Sequence, residues 1–271
     1  MDVKYLVHIA DYHLRTYKRH DEYKEQTIKF LTHIKEMFSD FNRNEIRIVI
    51  VGDVVHQKIN VSNEQFRFLA WLFKSCADLY PTILVAGNHD MLEGNKDRLD
   101  TLTPIVELLN HPDLSFLKES KCYLDNNIIW CNYSIFEENL IPIDLKSFKE
   151  QYGETKKFIG LYHGPLIGSK TDLGFEVGGN DLTQFDGLEF CLLGDIHKRQ
   201  KLEYNEIPIV YPGSLVQQDY GEKITGHGFL LWDVESGIYE EHDVDTEYGF
   251  YNFQINSLED IETNSEKLTN G

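Results

Sequence analysis

The chain has 271 residues, with 26 Lys and Arg against 45 Asp and Glu, giving a formal net charge of −19. That balance excludes a protein that coats nucleic acid with uniform positive charge, because Lys and Arg supply the sequence-independent affinity for phosphate backbones. No apolar run approaches the roughly 18 to 20 residues of a membrane span, and the start Met1-Asp2-Val3-Lys4 lacks a leader's charged end and apolar core. A soluble, cytoplasmic protein without membrane contact is therefore expected. Cys76, Cys122, Cys131 and Cys191 have neither the spacing nor the density of a zinc ribbon or a disulfide framework, so they read as reduced thiols in or near the core.

In chain order, residues 5–10 read as a buried strand. Residues 21–41 place Ile28, Leu31, Ile34, Met37, Phe38 and Phe41 at three- and four-residue spacings, which predicts a core-facing helix. Residues 46–51 form the next strand. Ser62 or Asn63 caps a helix carrying Phe66, Leu69, Ala70 and Phe73, and Pro81 opens a strand over 82–86. A third helix follows near 99–109. Beyond about residue 112 come short strands over 122–124, 128–133, 158–162, 190–193, 207–211, 228–233 and 239–244, with 250–255 as one more candidate. This pattern predicts βα units first and then a second sheet packed on the first.

The ligand-type residues fall just past the strands. Asp11-Tyr12-His13 follows the first, Gly52-Asp53 the second and Gly87-Asn88-His89-Asp90 the third. Loops at the carboxyl ends of adjacent strands converge on one crevice. His163-Gly164 and Gly194-Asp195-Ile196-His197 repeat the arrangement later. Any one of these groups alone would be an ordinary turn or cap; five in succession at strand ends are not. Carboxylate, imidazole and amide oxygen together suit manganese, iron or zinc, and a carboxylate that can bridge points to a two-metal site acting on phosphorus. His8 reads as a packed core residue, and His20, His33, His111, His227 and His242 as surface or turn residues.

The order Asp-x-His, Gly-Asp, Gly-Asn-His-Asp, His-Gly, Gly-x-x-His resembles the calcineurin-like metallophosphoesterase superfamily. Gly52-Asp53-Val54-Val55-His56, and Gly194-Asp195-Ile196-His197-Lys198 followed by Tyr211-Pro212-Gly213-Ser214, resemble the SbcD-type nucleases of DNA double-strand-break repair. The resemblance implies an α/β sandwich of two mostly mixed β-sheets flanked by helices, and two divalent ions, manganese by preference. It assigns Asp11, His13 and His197 to the first ion, Asn88 and His163 to the second, and Asp53 to the bridge. His89 would face the scissile phosphate as the acid for the leaving oxygen, oriented by Asp90, and His56 would position the DNA end. Asp195 stands where the family has histidine, so the second ion is expected to be kept with an altered metal preference.

Cations trail every metal loop: Arg15, Lys18 and Arg19; Lys58; Lys96 and Arg98; Lys170; Lys198, Arg199 and Lys201. They suggest a groove for a phosphodiester backbone, with Arg15 and Lys198 as candidate substrate contacts. The expected activity is a manganese-dependent DNA exonuclease or endonuclease. A phosphoesterase for a small or single-stranded substrate, or a silent scaffold, are the alternatives. The expected partners are DNA, an SbcC-type coiled-coil ATPase, and a second copy in a homodimer. Residues 1–245 would form the nuclease domain and 246–271 a short acidic extension. Residues 203–271 hold 15 acidic against 2 basic side chains, so most of the negative charge lies beyond the metal loops.

Overall fold

The computed structural model describes residues 1–262, apart from 59, 96, 138–142, 154 and 252. The element order is β1 (Tyr5–Ile9), α1 (His20–Met37), β2 (Ile46–Val51), α2 (Asn63–Leu79), β3 (Thr82–Val85), α3 (Leu102–Leu109), β4 (Leu114–Phe116), β5 (Lys121–Asp125), β6 (Ile128–Tyr133), α4 (Leu145–Tyr152), β7 (Lys157–His163), β8 (Phe190–Gly194), β9 (Gln200–Tyr204), β10 (Ile207–Tyr211), β11 (Gly228–Asp233) and β12 (Tyr239–Asp243). Two six-stranded sheets result, ordered β12-β11-β1-β2-β3-β4 and β5-β6-β7-β8-β10-β9. The first is parallel from β1 to β4 with an antiparallel β11-β12 margin, and the second has a parallel centre with antiparallel margins at β5 and β9. The expected two-sheet sandwich is thus present, with one change of membership: β11 and β12 return to the first sheet beside β1 instead of extending the second.

Strand alternation builds three apolar layers. In β2, Ile46, Ile48 and Ile50 face the helices α1 and α2, while Val49 and Val51 face the other sheet. In β6, Ile128 and Trp130 fill the space between the sheets, and Ile129, Cys131 and Tyr133 lie on the outer face toward α4. Both central faces are covered, so β2 and β6 are buried throughout, as parallel strands inside α/β proteins must be.

The helices turn differently from the predicted faces. Ile28 is 48% exposed and Phe66 36%, whereas Tyr23, Gln26, Thr27 and Phe30 of α1 are buried. The polar pair is tolerated because it is bonded: Gln26 donates to the Val244 carbonyl at 3.2 Å, and Thr27 meets the Tyr12 hydroxyl at 2.6 Å. Similarly, Gln65 of α2 donates to the Leu14 carbonyl at 2.6 Å, while Ser62 caps the helix through the Gln65 amide. Two strands, β4 and β9, and the short helix α4 went unpredicted; they are short or charged and lack a clear period. Residues 250–255 are not a strand among the described residues. His227, expected at the surface, is buried against Ser214.

At the end of the sandwich opposite the metal loops, Arg47 crosses between the sheets. Its Nε and Nη2 donate to the two Asp125 oxygens, both at 2.8 Å, and Trp130 Nε1 donates to the same carboxylate at 3.1 Å. Arg47 is nearly fully buried, so removing it strands a carboxylate and an indole N–H. Arg47→Met is expected to lower the unfolding free energy by about 3 kcal/mol, read from urea denaturation, with catalytic rates of the folded protein unchanged.

Candidate metal centre

Five loops meet at the carboxyl ends of β1, β2, β3, β7 and β8. Three of the residues carried there are non-glycine yet left-handed with φ near 50°, namely Asp11 at 52°, His13 at 48° and Asp53 at 52°, and Asp195 is also positive at 97°. Such conformations cost roughly 1–3 kcal/mol each and persist only where the surroundings hold them. Here the first two loops are laced together: the Asp11 amide donates to the Gly52 carbonyl at 3.1 Å, and the His13 amide to the Asp53 carbonyl at 2.9 Å. Glycine is required where this lacing passes His163. A Cβ on Gly87 would collide with the Asp53 amide and carboxylate and stand 2.7 Å from His163 Nε2.

The side chains converge tightly. His13 Nε2 lies 2.9 Å from His197 Nε2, 3.5 Å from Asp53 Oδ2 and 4.0 Å from Asp11 Oδ1. On the other side of Asp53, His163 Nε2 faces Oδ1 at 3.2 Å and Asp195 Oδ1 at 3.9 Å. Among the described residues three groups of metal-ligand type follow, Asp11-His13-His197, Asp11-Asp53-His163 and His13-His56-His89. Asn88, beside them in the β3 loop, has a buried Oδ1 with no partner. The sequence-derived ligands Asp11, His13, Asp53, His163, Asp195 and His197 are therefore brought together.

The donor set fits divalent cations. His163 Nδ1 donates to the Val51 carbonyl at 2.8 Å, which leaves Nε2 as a lone pair toward Asp53. His197 Nδ1 is held by Glu222 Oε1 at 2.6 Å, so its Nε2 lone pair faces inward too. Without a cation, protons must take that role. Burial raises the Asp11 carboxyl to about 7, against the nearby imidazoles His163 and His197. Burial would also raise Asp53, but His163 and His13 outweigh it and hold the carboxyl low. His163 is pushed well above the usual imidazole value because Asp53, Asp11 and Asp195 overcome its desolvation. His197 reaches about 9, its burial outweighed by the Glu222 hydrogen bond and by Asp11.

His89 stands beside the donor set: its backbone amide donates to Asp53 Oδ1 at 2.8 Å, and its ring lies 4.8 Å from that of His13. The orienting partner expected in Asp90 is a different group. His89 Nδ1 donates to the His56 carbonyl at 2.6 Å, while both Asp90 oxygens are taken by the amides of Gly87 at 2.8 Å and Val55 at 3.0 Å. Asp90 instead ties the β2 and β3 loops together, because a fully buried carboxylate seeks the nearest amide donors. His56 stacks on His89 with centroids 5.7 Å apart, and Arg15 Nη1 donates to His56 Nε2 at 3.1 Å. Burial and then Arg15 lower His56 to about 4, so it is neutral at physiological pH.

Most of the trailing cations are engaged with protein carboxylates. Arg19 binds Glu22, Lys58 binds Glu93, Lys170 faces Glu176, Arg199 binds Glu241 and Asp243, and Lys201 binds Glu203. Five of the cations read from the sequence are thus committed to protein carboxylates, while Arg15 stands at the site against His56. Lys198 directly follows His197, and its charge is felt by Asp172. Lys96 lies outside the described residues. Glu222, which orients His197, escaped the sequence reading because it lies 25 residues beyond its partner in a stretch without any ligand pattern. It also lines, with Asp172, Leu173 and Asp219, a cavity of about 250 Å³ beside Asp195 and His197.

Two expectations follow. Glu222→Ala should weaken divalent-metal binding by about 10- to 100-fold in calorimetric titration, with Glu222→Gln intermediate, since the ring loses its orienting acceptor. Metal must also displace the protons on Asp11, His163 and His197, whose pKa values are all raised, so manganese affinity should climb as pH rises from about 6 to about 9, with proton release measurable in buffers of different ionisation enthalpy.

Comparisons with known proteins place the chain in a family. Residues 5–199 match the calcineurin-like phosphoesterase family. The chain is 39% identical over 276 residues to protein R555 of Acanthamoeba polyphaga mimivirus, covering 98% of this chain and 20% of that one. It is 25% identical over 218 residues to the metallophosphoesterase YhaO of Bacillus subtilis (strain 168), covering 79% and 51%. The chain thus spans about a fifth and about half of these relatives. Among solved structures, an archaeal phosphodiesterase aligns over 88% of this chain and 98% of its own with a TM-score of 0.39 and 14% identity. GAP50 of the Plasmodium inner membrane complex aligns over 90% and 89% with a TM-score of 0.45 and 12% identity. With its five ligand loops inside the matched segment, the chain belongs to the calcineurin-like phosphoesterase family.

Proposed function

We propose that this phosphoesterase is a DNA nuclease of the SbcD type, cleaving phosphodiester bonds with two divalent ions, manganese by preference. The observation that supports the reading is His89 beside the carboxylate and imidazole cluster, its Nδ1 committed to the His56 carbonyl and His56 held in turn by Arg15. Asp11, His13 and His197 would hold one ion, Asn88, His163 and Asp195 the other, with Asp53 between them. Bound ions supply Lewis acidity and a water of lowered pKa.

The remaining work belongs to the chain. With Nδ1–H committed to the His56 carbonyl, Nε2 is the ring atom of His89 left to face the leaving oxygen, and a proton would be passed there. Because His56 Nε2 accepts from Arg15, its proton sits on Nδ1, and that N–H and Arg15 Nε–H have no protein partner. Both N–H groups are buried, so the pair acts by fixing His56 against the His89 ring and by placing the Arg15 charge beside the site. Such a nuclease implies DNA as partner and an SbcC-type ATPase as its companion. A second reading, a small or single-stranded phosphoester substrate, is favoured by the pairing of Arg19, Lys58, Lys170, Arg199 and Lys201 with protein carboxylates.

Manganese-dependent nucleotide release from linear duplex DNA, measured beside turnover of bis(nitrophenyl) phosphate, separates the two. Hydrolysis of both supports the nuclease; hydrolysis of the small ester alone overturns it in favour of the second reading. His89→Gln should bind metal normally and lose about 100- to 10,000-fold in turnover. Undiminished turnover would remove His89 from the mechanism.

A further inference from the structure

β5 and β6 form a hairpin closed by Asn126 and Asn127, with Asp125 opposite Ile128. Across a two-residue turn the closing pair is hydrogen-bonded, and bonded and open pairs alternate outward from it. Leu124 with Ile129 is then open, Tyr123 with Trp130 bonded, and Cys122 with Cys131 open again. Side chains at open pairs approach most closely, with Cα atoms about 4.5 Å apart, inside the range of about 4.4 to 6.8 Å that a disulfide accepts. The two sulfurs are 3.5 Å apart, and both cysteines are free.

The surroundings give the two thiols different roles. Cys122 lies on the edge strand of its sheet at 9% exposure, while Cys131 is fully enclosed. The Cys131 contact lowers the Cys122 thiol pKa against the effect of burial, and the same contact together with burial pushes Cys131 far up. Cys191 belongs to the same row across the sheet, Cys122–Cys131–Gly160–Cys191, but Gly160 of β7 stands between it and Cys131. Cys76 lies in the helix-side layer beyond the first sheet.

We propose that Cys122 and Cys131 are a modification site, a cross-strand dithiol that closes to a disulfide by exchange with a small disulfide such as oxidised glutathione. The Cys122 thiolate attacks the external S–S bond, forming a mixed disulfide and releasing one glutathione. Cys131 then gives up its proton and attacks the Cys122 sulfur, which forms the Cys122–Cys131 bond and releases the second glutathione. Two protein thiols are oxidised, two glutathione sulfurs are reduced, and the two thiol protons end on the released glutathione. The bond pins an edge strand without touching any metal-bearing loop.

The test treats the full chain with oxidised glutathione, then denatures, alkylates and maps the peptides by mass spectrometry. A dithiothreitol-reversible Cys122–Cys131 peptide is expected, with Cys76 and Cys191 alkylated. Cys191→Ser should oxidise like the natural chain, whereas Cys131→Ser should stop at glutathione on Cys122. Alkylation of all four cysteines in the natural chain, a bond to Cys191, or a glutathione adduct on Cys122 that never resolves would overturn the proposal.

Discussion

Asp53 sets the terms for the rest of this structure. It is a carboxylate with 2% exposure, in a left-handed backbone, held between His13 and His163 and accepting the amide of His89. A buried anion of this kind is costly unless it is surrounded by donors or cations. Two features of the fold supply that environment. Glycines at 52 and 87 bring backbone and His163 close enough, and the β1 loop is laced to the β2 loop by main-chain bonds. Asp11 and Asp195 add more negative charge to the same space, so the site as a whole calls for divalent cations rather than a single ion pair.

The same economy explains the division of labour around the centre. Inward-facing lone pairs on His163 and His197 exist because the opposite ring nitrogens are committed to Val51 and Glu222. His89 differs because its backbone, not its ring, donates to Asp53, while its ring Nδ1 is committed to the His56 carbonyl. Asp90 was expected to orient that ring. Its burial instead commits it to amides in two loops, where it contributes to the rigidity on which His89 depends.

Legibility in the sequence followed periodicity and spacing. Buried central strands such as 46–51 and 128–133 were plain because uninterrupted apolar runs bounded by turn residues have few other uses. The helix faces were less plain: α1 buries Gln26 and Thr27 and exposes Ile28, a choice made by partners at Val244 and Tyr12 that lie far away in sequence. β11 and β12 look like continuations of the second sheet, and only pairing of β11 with β1 returns them to the first. Likewise, a cation's position after a metal loop says nothing of whether a carboxylate already holds it, as with Arg199 between Glu241 and Asp243.

By itself the sequence determined the layered α/β class and the ligand types at five strand ends, because both are written in local order: the period of apolar residues and the residue just past each run. Tertiary structure alone decided which nitrogen of each histidine faces inward, that Glu222 steers His197, that Asp90 binds loops instead of His89, and that Cys122 meets Cys131. Each of these depends on distances between segments remote in the chain, and hydrogen bonds and sulfur contacts act only over a few ångströms.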